Sequence, residues 1–395
     1  MKDIFNANIS HSFFYTAPYE SIDEFVAQVR QNWPNAIGYA LNEKQDHPYL
    51  VDMQTAERFL KGGSQTYQVK RFFLTDDNKI DLEKSGLAGW CIMITYFTES
   101  NIAGLSFHYS VKDRTTDQLI AIKQSGVNKK HFFEGGEFSC SELASLIASK
   151  MALPDTPCEK SYLCEITKFG DYTDLEAIER EQANRMYGFL SGDEGYAFVP
   201  EELVRERLSA SWGSRNFIRI YAGGKSFLFL NLLDSPARLE YLDRQTQFGG
   251  DIYGGADPYF FMGECPLTVN HGILFSVEFV MMLKGLINEV LLFQTEFSKK
   301  KFTYYKRIKM TRDFRRKIIL VLEKVERTEI AEIGELSSIL LESQHISPIV
   351  DQVKYLLELL EGDLSLIYSE HNNTLVTILT VLGLLLALWQ ILLAF

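Results

Sequence analysis

Hydrophobic and polar positions change their spacing twice along this chain of 395 residues. Up to about residue 272 the pattern alternates between two periods. The stretches QTYQVKRFFL, GWCIMITYF and GLSFHYSVK are rich in β-branched and aromatic residues and predict strands, as do YLCEITKF, NFIRIYA and SFLFLNLL further on. Between them SIDEFVAQVRQNW and SCSELASLIASKMAL carry apolar residues at helical spacing behind a Ser cap, and DLEAIEREQANRMYGFL has the same period. After His271 the strand signals cease and helical spacing runs on, with Pro348 the only proline. The third regime is the end of the chain, where Thr374 to Phe395 contains no charged residue. Twenty-two residues of helix at ~1.5 Å each reach roughly 33 Å, which matches the hydrocarbon core of a bilayer.

These regimes predict an α/β cytosolic region followed by an all-α helical stalk and one C-terminal transmembrane helix. The expected segments are an N-terminal α/β domain over 1–152, a second α/β region over 160–272, a long-helix stalk over 273–371 and the membrane helix over 372–395. Two prolines and an acid in ALPDTPCEK interrupt the periodicity and place the first boundary. Ser347 and Pro348 form a helix start, Ser as cap and Pro in the first turn. Beyond them Val350, Val353, Leu357, Leu360, Leu364 and Ile367 recur at steps of three and four. Such a seam suits a coiled-coil stalk between subunits or an amphipathic helix packed on its own domain.

Composition narrows the classes. With 46% hydrophobic and 23% charged residues the chain is globular, and its length suits two soluble folding units rather than one. A net charge of −12 argues against a general nucleic-acid binder. The five scattered cysteines suit a reducing compartment, and the start of the chain lacks a secretory signal. Together with the terminal apolar run, this places the protein at the cell membrane as a single-pass, tail-anchored chain with its bulk cytoplasmic.

Charge is segregated against that background. Lys306, Arg307, Lys309, Arg312, Arg315, Arg316 and Lys317 belong to a basic run broken by the single acid Asp313. Either this is a solvated face or it lies against anionic lipid, which attracts each such residue by ~1 kcal/mol. Within the terminal segment Asn373, Thr377, Thr380, Gly383, Ala387 and Gln390 share one helical face. Small and polar residues on one stripe are the usual contact surface between membrane helices, so the stripe predicts a homo-oligomer; the other reading is a monomeric anchor whose Thr hydroxyls bond back to their own helix. Asp363 and Glu370 would form acidic rings at the entrance of any enclosed path. The segment QFGGDIYGGADPYFFMGECP places Gly250, Asp251, Tyr253 and Asp257 in a loop suited to a small-molecule ligand or to a structural role, without a dinucleotide or P-loop fingerprint. Neither a metal-ligand spacing nor a nucleophile, base and acid set is recognisable, so the sequence assigns no catalytic centre, metal or cofactor.

The layout of an α/β domain, long helices and a terminal apolar helix, with the junction HNNTLVTILTVLGLLLA, resembles the CorA family of divalent-cation channels and transporters over about the last 120 residues. That resemblance implies a homopentamer, a pore lined by Asn373, Thr377, Thr380, Gly383 and Ala387, and a basic collar from Lys306 to Lys317. The family's Gly-Met-Asn signature and second membrane helix are both absent. Two functions are therefore expected: a homo-oligomeric ion-conducting pore or membrane effector gated by a ligand-sensing cytosolic domain, or a tail-anchored scaffold or adaptor without transport activity.

Overall fold

A computed structural model of the chain describes residues 3–39, 69–74, 80–98, 100–247, 259–262, 265–299, 331–344 and 371–386, with single helical positions between 308 and 369. The chain divides into two compact units, one of Met1–Glu289 with Lys324–Ile346 and the other of Val290–Glu323 with Ser347–Phe395.

The first unit is built on a nine-stranded sheet. Its strands are β1 (Phe5–Thr16), β2 (Ile37–Tyr39), β3 (Val69–Leu74), β4 (Gly89–Phe97), β5 (Ile102–Arg114), β8 (Glu159–Phe169), β9 (Ser211–Arg215), β10 (Ile218–Gly223) and β11 (Ser226–Asn231), in the order β2-β3-β4-β5-β1-β8-β11-β10-β9. All neighbours are antiparallel except β8 and β11, which run parallel. Strands from both sides of the interruption at 153–159 share this sheet, because β1 lies between β5 and β8. Two hairpins, β6 (Lys130–Phe133) with β7 (Gly136–Ser139) and β12 (Tyr259–Met262) with β13 (Cys265–Asn270), stand outside it.

The alternation of β1 separates the two faces. Phe5, Ala7, Ile9, Phe13 and Tyr15 belong to the apolar core, with Ile92, Ile94 and Tyr96 of β4 and Leu105, Phe107 and Tyr109 of β5 beside them. Helices α1 (Ile22–Asn32), α3 (Thr116–Ser125), α4 (Cys140–Lys150), α5 (Leu175–Glu181) and α6 (Ala183–Ser191) add Phe25, Val29, Leu119, Leu143, Ile147, Ile178 and Phe189 to that core. A short α2 (Leu82–Ser85) precedes β4, α7 (Glu201–Arg207) follows α6, and α8 (Pro236–Gln247) follows β11. Local chemistry starts these helices. Ser21 accepts from the amide of Glu24, and Thr115 with Gln118 and Ser139 with Glu142 form capping boxes. The stretch DLEAIEREQANRMYGFL, expected as one helix, breaks at Gln182 into α5 and α6.

The other face of the sheet presents Asn8, Ser10 and Ser12 of β1, Arg71 of β3, Thr95 of β4, and Ser106 and His108 of β5, all buried. Helix α9 (His271–Lys299) supplies the groups that cover it, because Glu278 bonds to β3 and β5 and Asn288 bonds to β8. Close approach is possible at Gly285, where an added Cβ would come within 2.9 Å of the Cys158 sulfur. Helix α10 (Ala331–Ser343) buries Leu336 and Leu340 and contacts β9 and β10, and the Gln344 amide beyond it donates to the Gly224 carbonyl.

These contacts correct the expected fold class. In place of an all-α stalk over 273–371, the beginning of α9 and the whole of α10 belong to the sheet's own unit, because their apolar and polar side chains are satisfied there. The fold is mixed α/β. The transmembrane helix expected over 372–395 is also overturned: among the described residues no helix is long and apolar enough to cross a membrane. The single-pass, tail-anchored placement in the cell membrane, and the ion-channel and membrane-effector readings that depend on it, lose their support with it.

If Gly285 sets the distance of α9 from β8, Gly285→Val forces the helix outward and costs about 1–3 kcal/mol of stability. Urea unfolding of the full chain measures this, and an unchanged midpoint would show that α9 does not pack so closely.

Candidate functional site

The chemistry concentrated in the first unit lies between the sheet and α9. Arg71 and Glu278 form an ion pair whose side chains are 1% and 2% exposed, so neither charge has water to fall back on. Each is held by further groups. Arg71 Nε donates to Thr95 Oγ1 at 2.9 Å, and Ser106 Oγ donates to Glu278 Oε1 at 3.0 Å while lying 2.8 Å from Ser12 Oγ. Strand register brings them together: Arg71 faces Thr95 across β3 and β4, and Ser12 faces Ser106 across β1 and β5. Burial pushes the Glu278 carboxyl above the usual range, opposed by the Arg71 charge and the Ser106 hydroxyl.

One register step along, Ser10 pairs with His108, and Ser10 Oγ lies 2.6 Å from His108 Nδ1. Burial drives the His108 pKa down to about 3, helped by the positive charge of Arg71 and then by His11. The imidazole is therefore neutral at ordinary pH. A serine beside a neutral histidine has the components of a nucleophile and base, but Ser10 is 5% and His108 2% exposed, and no substrate reaches either in this arrangement. The layer acts instead as a buried polar network that fixes one register of α9 on the sheet.

A second carboxylate of this face is Glu165 on β8. It accepts from Asn8 Nδ2 at 3.0 Å and from Asn231 Nδ2 on β11. Burial raises its pKa to about 7, against the two amide bonds and the charge of Arg238 on α8. On the opposite face His11 Nε2 lies 3.1 Å from the Tyr109 hydroxyl, and His131 of β6 sits against Trp90 and Tyr109 with centroid distances of 5.3 and 5.5 Å. Among the described residues no group hydrogen-bonds either ring nitrogen of His131. Burial lowers His11 to about 3, with His131 adding to the shift, and lowers His131 to about 4, with Lys129 adding.

The residues singled out from the sequence lie elsewhere. Asn373, Thr377, Thr380 and Gly383 are exposed on the helix of residues 371–386. Thr377 Oγ1 donates to the Asn373 carbonyl at 2.8 Å and Thr380 Oγ1 to the Val376 carbonyl at 2.7 Å, so these hydroxyls are satisfied within their own helix. Lys309, Arg312, Arg315 and Arg316 are exposed helical residues of the second unit. Ala387, Gln390, Asp363, Glu370, Lys306, Arg307, Lys317, Gly250, Asp251, Tyr253 and Asp257 lie outside the described residues. Among the described residues no group of three or more His, Cys, Asp or Glu could hold a metal ion. The buried layer itself escaped the sequence reading. Its signals were the period-two alternation of NISHSF, with Asn8, Ser10 and Ser12 on one side, and the lone Glu278 in the apolar run ILFSVEFVMML. Comparison with protein-family models, with curated proteins and with solved structures returns no match.

Removing one member of the Arg71–Glu278 pair leaves the other buried and unpaired. Arg71→Ala or Glu278→Ala should each cost about 3–5 kcal/mol, and the double variant Arg71→Met/Glu278→Leu should cost less than either. Urea unfolding of the three variants decides it: a double variant as unstable as the sum of the singles would deny the coupling.

Acid stability follows from the buried imidazoles. A lowered folded pKa means stability that is present above the unfolded pKa of 6.5 and lost as pH falls through the folded values of about 3 to 4. Glu165 has the opposite sign, since its contribution is complete below 4.5 and lost as pH rises through about 7; Glu278 shares that direction. Each histidine loses about 1.4 kcal/mol per pH unit below 6.5, and the three outnumber the two carboxylates that oppose them, so the direction is a net loss on acidification. His131→Phe should remove one such increment from the slope between pH 6.5 and 4.5. An unchanged slope would mean that His131 titrates alike in the folded and unfolded chain.

Proposed function

We propose that this protein is a homo-oligomeric scaffold in which the helix of residues 371–386 joins copies of the chain. The observation that carries the reading is the exposure of that helix. Leu375, Val376, Ile378, Leu379, Val381, Leu382, Leu384, Leu385 and Leu386 are between 43% and 66% exposed, on every side of it. Scattered apolar residues on a surface need no explanation, whereas a contiguous patch of this kind marks an association surface. Its area is on the order of 900 Å² per copy, comparable to the ~800 Å² that each partner contributes to a standard-size interface.

A second copy of the same helix suits this surface best. From Thr374 to Leu386 there is no charge, so a charged partner would leave its own groups buried and unpaired, whereas an identical helix brings none. The hydroxyls of Thr377 and Thr380 are already satisfied, and an added Cβ at Gly383 would meet nothing within 4 Å, which leaves a notch for a neighbouring backbone. Because the apolar surface surrounds the helix, a bundle covers it more completely than a pair does. The polar groups of the sheet unit support a scaffold over an enzyme, since the Ser10 and His108 pair is sealed beneath α9.

Sedimentation of the purified full chain tests this. A single oligomeric species is expected, and Leu379→Asp with Leu382→Asp should dissociate it into monomers that keep the thermal midpoint of the sheet unit. Gly383→Leu should weaken the assembly by closing the notch. A monomeric parent chain, or an oligomer indifferent to all three substitutions, would refute the proposal.

A further inference from the structure

Two loops leave the sheet side by side at the only parallel pair of strands among those described. β8 ends at Phe169 and continues through 170–174 into α5, and β11 ends at Asn231 and continues through 232–235 into α8. The crevice beyond the carboxyl ends of neighbouring parallel strands is where open α/β sheets bind ligands, because the two connections diverge there and leave a gap between them. Here the gap is a cavity of about 250 Å³, lined among others by Lys168, Asp171, Tyr172, Thr173, Asp234 and Ser235. At the ~30 Å³ that one water occupies in the liquid, this is the space of about eight waters, the scale of a small ligand.

The walls are held in place without a ligand. The Gly170 amide donates to the Ile4 carbonyl at 2.9 Å and the Tyr172 amide to the Phe169 carbonyl at 3.0 Å, while Gly170 takes the left-handed conformation, with φ of 57°, that the turn requires. On the other side the Leu233 amide donates to the Thr167 carbonyl at 3.2 Å and the Ser235 amide to the Leu232 carbonyl at 3.2 Å. The Tyr172 hydroxyl donates to Glu181 Oε2 at 3.1 Å and accepts from Gln182 Nε2 at 2.7 Å, which fixes the ring as a half-buried wall. Preformed walls reduce the ordering cost of binding.

The lining selects among ligand classes. Two carboxylates face one ammonium, so an anion such as phosphate meets net repulsion. The cavity has fewer than the three acidic, His or Cys groups that would hold a metal ion. Acceptors on Asp171 and Asp234, a donor on Lys168 and hydroxyls on Thr173 and Ser235 line it together with the Tyr172 ring and the buried Leu232. Donors and acceptors together beside an aromatic and an aliphatic side chain match a molecule that carries several hydroxyls as well as C–H groups. We propose that this crevice binds a small, uncharged, polyhydroxylated ligand of monosaccharide size, with Asp171 and Asp234 accepting from its hydroxyls. The site lies within the sheet unit and is independent of the assembly proposed above.

The test is isothermal titration of the full chain with D-ribose, D-glucose and myo-inositol, and separately with inorganic phosphate. Saturable binding of at least one polyol is expected, weakened about tenfold or more in the double variant Asp171→Asn/Asp234→Asn, whose exposed positions should leave the thermal midpoint unchanged. Thr173→Val, which removes a hydroxyl without a charge, should weaken binding less than the double variant. Failure of all three polyols to saturate, binding unaffected by the Asn substitutions, or phosphate binding at the polyols' expense would each overturn the proposal.

Discussion

The ion pair between Arg71 and Glu278 is the constraint on which the first unit depends. Two charges withdrawn almost completely from water would cost several kcal/mol each if separated, so the strand that carries one and the helix that carries the other are bound to a single arrangement. Thr95 and Ser106 make that arrangement specific, because each satisfies a direction of the pair that no apolar residue could satisfy, and Ser12 bonds to Ser106 behind it. An apolar interface between α9 and the sheet would tolerate sliding by a turn. This one does not, since a slide leaves a buried carboxylate facing serine hydroxyls alone.

The two faces of the sheet therefore do different work. The face under α1, α3, α4, α5 and α6 is a conventional apolar core, in which Phe25 and Tyr96 stack and Phe5, Phe169 and Phe189 pack edge to face. Its anomaly is the pair of buried imidazoles at His11 and His131, which keeps the core intact only while both stay neutral. The face under α9 sets polar groups among apolar neighbours such as Cys91 and Met93, and Glu165 extends that polar character to the parallel edge of β8 and β11. Acid acts against the imidazoles of both faces, His108 on the second included, and relieves the carboxylates Glu165 and Glu278. The crevice at the ends of β8 and β11 lies next to Glu165 in the chain, with Thr167 two residues beyond it and Leu232 adjacent to Asn231.

Much of the sheet unit is legible from local pattern. GWCIMITYF coincides with β4, and SFLFLNLL contains β11. Ser21 and Ser139 cap the helices that follow them, because a cap involves only neighbouring residues. β1 is harder to read. Its outward-facing asparagines and serines have the composition of a loop, and they become strand residues only because β5 and β8 bond them on both sides and α9 covers them. The basic run is legible as charge, and Lys309, Arg312, Arg315 and Arg316 are indeed exposed, but exposure does not identify what they face.

What the sequence alone determined is the class of those local segments whose pattern is strong: most of the stretches that extend or coil, where caps begin helices and where an uncharged apolar run stands. These depend on side chains within a few residues of one another. Tertiary structure decided the rest, because each remaining question concerns groups far apart in the chain. Arg71 and Glu278 are 207 residues apart, Asn8 and Glu165 are 157, and neither pairing leaves a periodic trace. The beginning of α9 and α10, expected in the stalk, became part of the sheet unit for the same reason, since an amphipathic helix shows that it needs a partner without naming one. The apolar run over 371–386 shows the same ambiguity: its composition calls for a partner and its side chains are exposed, and neither fact names what covers them.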